Sequence, residues 1–358
     1  MTSPVSPHLP GRLGDPDRTI ADDVRADPRM VVAMAAVGLD APPPPMPVGH
    51  GGPISAIHEV LNATEEGFGA IWEALFTGLP PVPGVTSRTE IITGVDNNDV
   101  SLYIHEPAER SGPLPAIVHT HGGGMVLAAA ADPNYVRWRD ELAATGLVVV
   151  GVEFRNGGGK LGPHPFPAGL NDCAAAARWV ADNAERLGVS KVVMSGESGG
   201  GNLALATTLK ARQDGWLDAI AGVYAQCPYV SNLYHAPPPE LTSLHENDGY
   251  FLSCDMMGPL ARAYDPDGNN ATNPLAWPYH ASGDDLTGLP PHVISVNQLD
   301  PLRDEGLAYH RKLLDAGVSS VSRTVNGTCH AGDCIFRAAM PDVYAATIRD
   351  ISAFAHSL

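Results

Sequence analysis

Apolar and polar positions repeat with two different periods along this chain, and the changes of period divide it into predicted strands and helices. Short apolar, β-branched runs bounded by turn residues predict buried strands, whereas apolar positions recurring every three or four residues predict amphipathic helices. The two kinds of element alternate over most of the chain, which is typical of a mostly parallel, doubly wound sheet with helices on both faces. The pattern therefore predicts the α/β class.

The predicted elements of the sheet region begin with a hairpin, in which strands 90–93 and 100–104 flank the turn cluster 96–99. The later strands are predicted at 116–120, 147–152, 189–195, 219–225, 292–296 and 321–325. The helices between and after them are predicted at 134–145, 168–187, directly after residue 198, at 303–316 and at 341–356.

Two segments fall outside this alternation. Before the sheet, helices are predicted at 27–37 and 58–79, and the stiff proline run 42–45 separates them. These helices fit either an add-on packed over the sheet or an arm that forms a homodimer, and the sequence leaves both open. The segment from 228 to about 290 is rich in Pro, His, Asn and Asp, with a short helix at 256–263. Long insertions after a strand end usually form lids and pocket walls.

Composition and charge restrict the classes of function. The chain has 358 residues with 44% hydrophobic and 17% charged composition, which suits a globular protein with a large core. Its formal net charge of -18 repels phosphate backbones, so we expect no nucleic-acid partner. No apolar run reaches membrane-spanning length, and the first ten residues lack a basic start followed by an apolar stretch. We therefore expect no membrane association and no signal peptide.

The cysteines indicate the cellular compartment. There are five, scattered and without CxxC pairing, which predicts reduced thiols in a cytoplasmic protein. Cys329 and Cys334 are close enough in sequence for a disulfide to be the alternative.

One stretch combines a strand end, a helix start and a serine between small residues. Gly196-Glu197-Ser198-Gly199-Gly200 follows the strand predicted at 189–195 and precedes a helix. A G-x-S-x-G turn holds a serine hydroxyl above the end of a sheet, and its flanking backbones come so close that glycine is needed on both sides. A glycine-rich loop formed by chance is the alternative, but the strand–turn–helix setting favours Ser198 as a nucleophile.

Two residues downstream of Ser198 fit the base and the acid that a serine nucleophile needs. In this type of sheet the order along the chain is serine, acid, histidine. His330 lies just past the last predicted strand and can fold over the sheet end. Asp300 follows the strand predicted at 292–296, and capping of the next helix is its alternative role. The other downstream histidines lie in less suitable places, within the insertion, on a helix or near the C-terminus.

Backbone N–H groups that could stabilise an oxyanion are predicted at two glycine sites. Gly199 directly follows the nucleophile, and His121-Gly122-Gly123-Gly124 follows the strand at 116–120. The histidines lack zinc spacing and no H-E-x-x-H occurs, so we predict no metal and no cofactor. Gly157-Gly158-Gly159-Lys160 lacks the rest of a phosphate-binding motif, and Leu161 follows it, so no phosphate site is predicted there.

These motifs, in this order, resemble the hormone-sensitive-lipase-like branch of the α/β-hydrolases, in its bacterial carboxylesterase form. The resemblance covers roughly residues 85–358 and rests on the segments 121–124, 153–155, 164–172, 196–202 and 300–305. It implies an α/β-hydrolase catalytic domain at 86–358, with a helical cap made from residues 1–85 and an insertion at about 228–290. It further implies that Ser198 is the nucleophile, Asp300 the orienting acid and His330 the base. The implied oxyanion donors are the N–H groups of Gly123, Gly124 and Gly199.

The chain departs from this family at three places. The family usually has G-D-S-A-G, whereas this chain has Glu197 and Gly199 beside the serine. The family's D-Y-R is Glu153-Phe154-Arg155, and the Gly-Phe that commonly follows its histidine is Ala331-Gly332. Gly199 retains its N–H, so the departures change the surroundings of the site and keep its donors.

The sequence thus predicts a serine carboxylesterase that acts on small-molecule esters with short acyl groups through an acyl-enzyme. Short acyl groups are expected because no long apolar lid of the kind that binds lipid surfaces is present. Cleavage of amides, carbamates or lactones by the same residues is the alternative within enzymes. A non-catalytic binding protein on this fold is the alternative outside them, and it would require a broken triad.

Overall fold

The computed structural model describes residues 9–358. The first eight residues lie outside the described part. They belong to the predicted N-terminal cap segment and to the stretch for which no signal peptide is predicted. The described strands are β1 Val85–Thr93, β2 Asp99–Pro107, β3 Leu114–Thr120, β4 Val148–Glu153, β5 Val189–Glu197, β6 Gly222–Gln226, β7 His292–Asn297 and β8 Ser320–Val325.

The α-helices surround these strands along the chain. They are α1 Gly11–Gly14, α2 Pro28–Ala36, α3 Ile54–Phe76, α4 Pro133–Ala143, α5 Ala168–Asp182, α6 Ala184–Leu187, α7 Gly199–Gln213, α8 Ser243–Glu246, α9 Cys254–Tyr264, α10 Gly283–Leu286, α11 Arg303–Asp315, α12 Gly332–Ile335 and α13 Pro341–Ser357. Short 3-10 turns lie at Ile20–Asp22, Leu217–Ala219 and Pro278–His280.

All eight strands form one sheet in the order β1-β2-β4-β3-β5-β6-β7-β8. The β1–β2 and β2–β4 pairs are antiparallel, and every later pair is parallel. Strands β6 and β7 are buried along their whole length and β4 in all but its last residue, as is typical of parallel strands covered by helices on both faces. The predicted α/β class, with its mostly parallel sheet, is confirmed.

The strand order reverses between β3 and β5. The chain passes from β3 to β4 on one side and then returns to form β5 on the other side of β3. Crevices outside the carboxyl ends of parallel strands at such a reversal are the usual ligand sites of open α/β sheets. The loops after β3 and β5 therefore meet where a site is expected.

Several predicted elements have different bounds in the structure, and three of the differences show what ends or interrupts an element locally. The helix predicted at 58–79 spans Ile54–Phe76, beginning after Pro53 and ending before Gly78, whose φ is 78°. The helix predicted at 168–187 is interrupted at Asn183, whose φ of -105° and ψ of 16° lie outside the helical range, although its backbone N–H and its side chain both donate to the carbonyl of Trp179. The strand predicted at 219–225 begins only at Gly222, after a 3-10 turn.

The N-terminal helix α3 packs against α4 and against α9, which belongs to the insertion. The apolar residues of α3, among them Ile57, Leu61 and Trp72, belong to the same core as Met257 and Leu260 of α9. α3 and α9 together cover the carboxyl ends of the central strands.

Two further predictions concern the chemistry of the chain. All five cysteines are unpaired thiols, so Cys329 and Cys334 do not form a disulfide. Within residues 9–358, no helix has both the length and the apolar character needed to cross a lipid bilayer.

Candidate active site

Ser198 lies at the sharp turn between β5 and α7. Its backbone has φ 57° and ψ -121°, a conformation that L-residues rarely adopt and that surrounding contacts must impose. A Cβ on Gly200 would lie 1.9 Å from the carbonyl oxygen of Thr120, and one on Gly196 would lie 2.4 Å from the Thr120 Oγ1. Both glycines of the motif are therefore required. The N–H of Ser198 donates to the carbonyl of Gln226 at 2.9 Å, which holds the turn against β6.

His330 and Asp300 form a buried hydrogen-bonded pair. Asp300 follows β7 and His330 follows β8, its parallel neighbour, and Nδ1 of the imidazole donates to Asp300 Oδ2 at 2.8 Å. Asp300 Oδ1 also accepts the N–H of Leu302 at 2.9 Å, just before α11. The carboxylate thus contacts the start of that helix and orients the imidazole at the same time, and Nε2 is the ring nitrogen left to exchange a proton.

Asn297 holds the loop that carries His330. Its Nδ2 donates to Thr328 Oγ1 at 2.7 Å and to Asp333 Oδ1 at 2.8 Å, and its Oδ1 accepts the N–H of Ala331 at 3.2 Å. Ala331 has a φ of 52°, so this residue also needs outside contacts to keep its conformation. Asn297 was not among the residues predicted from the sequence, although its position at the end of a buried strand was a usable signal.

The glycine run after β3 lies beside the nucleophile turn. Gly123 and Gly124 have φ values of 97° and 65°, and a Cβ on Gly123 would lie 2.2 Å from the carbonyl oxygen of Leu127. Among the described residues, the N–H groups of Gly123 and Gly124 donate to no other atom. The N–H of Gly122 differs, because it donates to Glu197 Oε1 at 2.7 Å. Two N–H groups of the run are thus available to a substrate oxygen.

Glu197 is the acid that replaces the family's aspartate, and it holds the start of this loop. Besides accepting the Gly122 N–H, its Oε2 lies 3.0 Å from His119 Nε2. Only 6% of the residue is exposed. The carboxylate therefore joins the end of β5 to the end of β3.

His121 supports the same loop from beneath. Complete burial lowers the pKa of this imidazole to about 3, so the ring is neutral. It stacks on Phe154 with ring centroids 4.1 Å apart, and its Nδ1 donates to the Gly122 carbonyl at 2.8 Å. A neutral, stacked ring that hydrogen-bonds to its own loop supports the backbone and takes no part in proton transfer.

The predicted residues share one cavity. Ser198, His330 and the run 122–124 all line a space of about 110 Å³, and Asp300 lies behind His330. The rest of the wall is mainly apolar and comes from α3, α9 and neighbouring loops, with Phe68, Trp72, Leu127, Phe251, Met256 and Leu260. Such a cavity can hold an ester carbonyl between the serine, the imidazole and two free N–H groups.

Cys227 is buried beside the pair. Its sulfur, a carboxylate oxygen of Asp300 and a ring nitrogen of His330 all lie within 4.8 Å of one another, the one grouping in the described chain with the composition and spacing of a metal site. Burial raises the pKa of the Cys227 thiol well above its usual range, so the sulfur stays protonated. Because Asp300 and His330 are already bonded to each other, we interpret the cluster as an acid–base pair with a neutral thiol packed beside it.

A family model described as alpha/beta hydrolase fold matches residues 117–332. Curated relatives include an arylesterase of Saccharolobus solfataricus, 31% identical over 266 residues that cover 72% of this chain and 81% of the relative. Carboxylesterase NlhH of Mycobacterium tuberculosis is 31% identical over 265 residues, covering 73% of this chain and 79% of the relative.

Two solved structures are similar over almost the whole chain. Brefeldin A esterase, described as a bacterial homologue of human hormone-sensitive lipase, is 47% identical with a TM-score of 0.94, covering 97% of this chain and 98% of that one. The esterase Est22 is 36% identical with a TM-score of 0.85, covering 95% of this chain and 99% of that one.

Proposed function

Because this chain belongs to the hormone-sensitive-lipase-like esterases of the α/β-hydrolase fold, we propose that it hydrolyses small esters with short acyl groups through an acyl-enzyme on Ser198. The protein is a carboxylic ester hydrolase. One observation carries the assignment of residues: Ser198 and an Asp300-bonded His330 line the same cavity as two unoccupied backbone N–H groups.

In the first half of the reaction, Ser198 Oγ attacks the ester carbonyl carbon while His330 Nε2 accepts the hydroxyl proton. The carbonyl oxygen becomes negative, and the N–H groups of Gly123, Gly124 and Gly199 stabilise it. Asp300 accepts the Nδ1–H bond and stabilises the imidazolium. When the intermediate collapses, the bond to the alcohol oxygen breaks, and the alcohol leaves with the proton held by His330.

In the second half, water replaces the alcohol. His330 accepts a proton from the water as its oxygen attacks the acyl carbon, and the same N–H groups stabilise the second oxyanion. Collapse breaks the bond between the acyl carbon and Ser198 Oγ, which regains its proton from His330. A carboxylic acid is released, and the enzyme returns to its starting state.

The preference for short acyl groups is supported by the size and lining of the cavity. Its volume of about 110 Å³ is well below the roughly 300 Å³ at which pockets begin to enclose drug-sized ligands. Leu260 of α9 lines the cavity beside the glycine run, since a Cβ built on Gly124 would lie 3.4 Å from its Cδ1. The α9 side of the cavity therefore limits the space beside the reacting carbonyl.

We also propose that the protein works in the cytoplasm. The five unpaired thiols, three of them buried, support a reducing compartment.

The test is hydrolysis of p-nitrophenyl esters from acetate to octanoate by wild type and by Ser198→Ala. We expect the highest kcat/KM with acetate or butyrate, and a loss of roughly 10⁴-fold or more in the variant. Ser195→Ala is the matched control, because Ser195 lies in β5, three residues before Ser198, and its buried hydroxyl has no hydrogen-bond partner in the described chain. Faster hydrolysis of emulsified long-chain esters, or full activity of Ser198→Ala, would refute the proposal.

A further inference from the structure

The loop that carries two of the proposed oxyanion donors has an unfavourable backbone conformation. Gly123, Gly124, Met125 and Ala128 all have positive φ, with values of 97°, 65°, 62° and 72°. Met125 and Ala128 have side chains, and L-residues are strongly disfavoured in this region. A loop of this kind keeps its shape only when contacts from elsewhere impose it.

Glu65 provides such a contact from the middle of α3. Its Oε1 accepts the N–H of Ala128 at 2.9 Å, and its Oε2 accepts the N–H of Lys160 at 2.7 Å. The residue is 7% exposed and lines the same cavity as Ser198. A carboxylate this buried needs hydrogen bonds to its charged form, and the two backbone N–H groups supply them.

The glycine-rich segment 157–159, which matches no phosphate-binding motif, receives this carboxylate. Gly159 has a φ of 61°, and a Cβ there would lie 2.7 Å from Glu65 Oε2. The N–H groups of the first two glycines donate to the carbonyls of Met125 and Val126 at 2.9 and 3.2 Å. The segment thus joins the Glu65 carboxylate a second time to the loop between β3 and α4, residues 121–132, which we call the oxyanion loop.

The contact between Glu65 and the Ala128 N–H is linked to the proposed donors, Gly123 and Gly124, by a single turn of backbone. The N–H groups of Val126 and Leu127 both donate to the carbonyl of Gly123, at 3.1 and 2.9 Å, and close a turn that ends next to Ala128. Holding the Ala128 N–H therefore holds the end of the turn that begins at the donors. Since donors act only when they point at the developing charge, a small displacement of this turn affects the transition state more than substrate binding.

We propose that Glu65 is a positioning residue for ester hydrolysis: by holding Ala128 and Lys160, it sets the orientation of the oxyanion donors Gly123 and Gly124. The N-terminal helix α3 then controls the rate of the chemical step in addition to covering the cavity. This inference rests on the function proposed above, and it assigns the control of that chemistry to a residue outside the sheet region.

The experiment compares Glu65→Ala and Glu65→Gln with wild type, and Glu66→Gln is the matched control because Glu66 is exposed on the same helix. The measurements are kcat and KM for p-nitrophenyl butyrate and the inhibition constant of an aryl trifluoromethyl ketone, whose serine adduct places a charged oxygen at the oxyanion site. For Glu65→Ala we expect kcat to fall roughly 10- to 100-fold, KM to change by less than about 3-fold, and the ketone to bind more weakly by the same factor as kcat.

Glu65→Gln is expected to give an intermediate loss of kcat and of ketone affinity. Glu65→Gln keeps one acceptor oxygen and replaces the other with a donor that cannot pair with an N–H, so its loss should lie between wild type and alanine. Glu66→Gln should match wild type in all three measurements. A purely structural role would lower the unfolding temperature of the Glu65 variants and leave kcat and ketone affinity per folded molecule unchanged, which would overturn the inference.

A third variant guards against loss of folding. Gly159→Ala changes no atom of Glu65 but places a methyl group 2.7 Å from its Oε2. We expect kcat and ketone affinity to fall together. Unchanged values would overturn the inference. Failure of the proposed function would differ, because wild type itself would then be inactive or Ser198→Ala would retain full activity.

Discussion

The two walls of the cavity are held by different kinds of interaction. On one wall, Ser198, Asp300 and His330 follow β5, β7 and β8, so the backbone ladder of the sheet holds their starting points in register. On the other wall, the loop after β3 leaves the sheet, and carboxylates accept the N–H groups that the sheet no longer pairs. These carboxylates are Glu197 for Gly122, Glu65 for Ala128, Asp132 for Ala129 and Glu153 for Ala130.

The two walls therefore differ in how sensitive they are to single substitutions. A sheet ladder is cooperative, so one side-chain change beside it leaves the strand ends in place. The loop wall depends on four carboxyl groups, of which Glu65 and Glu197 are buried and Asp132 and Glu153 partly buried, and each must overcome the loss of hydration. Burial raises the pKa of both Asp132 and Glu153, although the N–H groups of the loop oppose the change. Single substitutions can therefore disturb the loop wall while the fold survives.

The largest effect is expected on the sheet wall, at a group that takes part in the chemistry. Asp300→Asn should lower kcat/KM by about 10⁴-fold, because the amide does not stabilise the imidazolium and favours the wrong ring tautomer. Assays with p-nitrophenyl butyrate measure this, and Asp315→Asn, at an exposed position on α11, should match wild type. A loss below 10-fold would show that Asp300 has no orienting role.

The contact between the two walls can be broken by adding one methyl group. A Cβ on Gly199 would lie 2.4 Å from the Met125 N and 2.6 Å from the Gly124 Cα, so in this chain Gly199→Ala, although alanine is usual in the family, must push the loop away from Ser198. We expect kcat to fall roughly 100-fold, the loss typical of one oxyanion donor, with little change in KM.

The control for this variant is Gly67→Ala, because Gly67 lies within α3 and an added Cβ there meets nothing within 4 Å. Activity of Gly199→Ala equal to that of Gly67→Ala would mean that the loop adapts and that the two walls are independent.

The last prediction concerns the pH dependence of stability, at a buried carboxyl group in the helix that follows Asp300. Glu305, on α11, accepts the Val230 N–H at 2.7 Å and the Tyr234 hydroxyl at 2.8 Å. Burial raises the pKa of Glu305 from 4.5 to about 8, so between these values the folded chain binds a proton that the unfolded chain releases. Its contribution to stability therefore falls as pH rises, by at most about 1.4 kcal/mol per pH unit.

Glu305→Gln should remove this decline, since the amide has the hydrogen-bonding groups of the protonated acid and does not titrate. Urea unfolding of both proteins at several pH values between 5 and 8 measures the difference. Curves that stay parallel across this range would show that Glu305 is charged in the folded protein throughout.

The sequence was most informative where chemistry follows a strand end directly. Ser198 stands in a strand–turn–helix motif, and Asp300 and His330 each follow an apolar run, so local patterns were enough to nominate them. The single helix predicted at 168–187 was wrong, because the backbone leaves the helical conformation at Asn183, with φ -105° and ψ 16°. Glu65 was not predicted, although an acid four residues after Leu61 on the apolar side of a predicted helix was a signal of a buried charge.

Reasoning from the residues thus predicted the fold class, the approximate positions of the strands along the chain and the candidates for nucleophile, acid and base. These follow from apolar periodicity and from short motifs, which are properties of neighbouring residues. Tertiary structure alone decided what holds the oxyanion loop. Glu65 reaches Ala128 and Lys160 across 63 and 95 residues of chain. Its partners are backbone N–H groups, which almost every residue has, so no pattern of side chains marks them in advance.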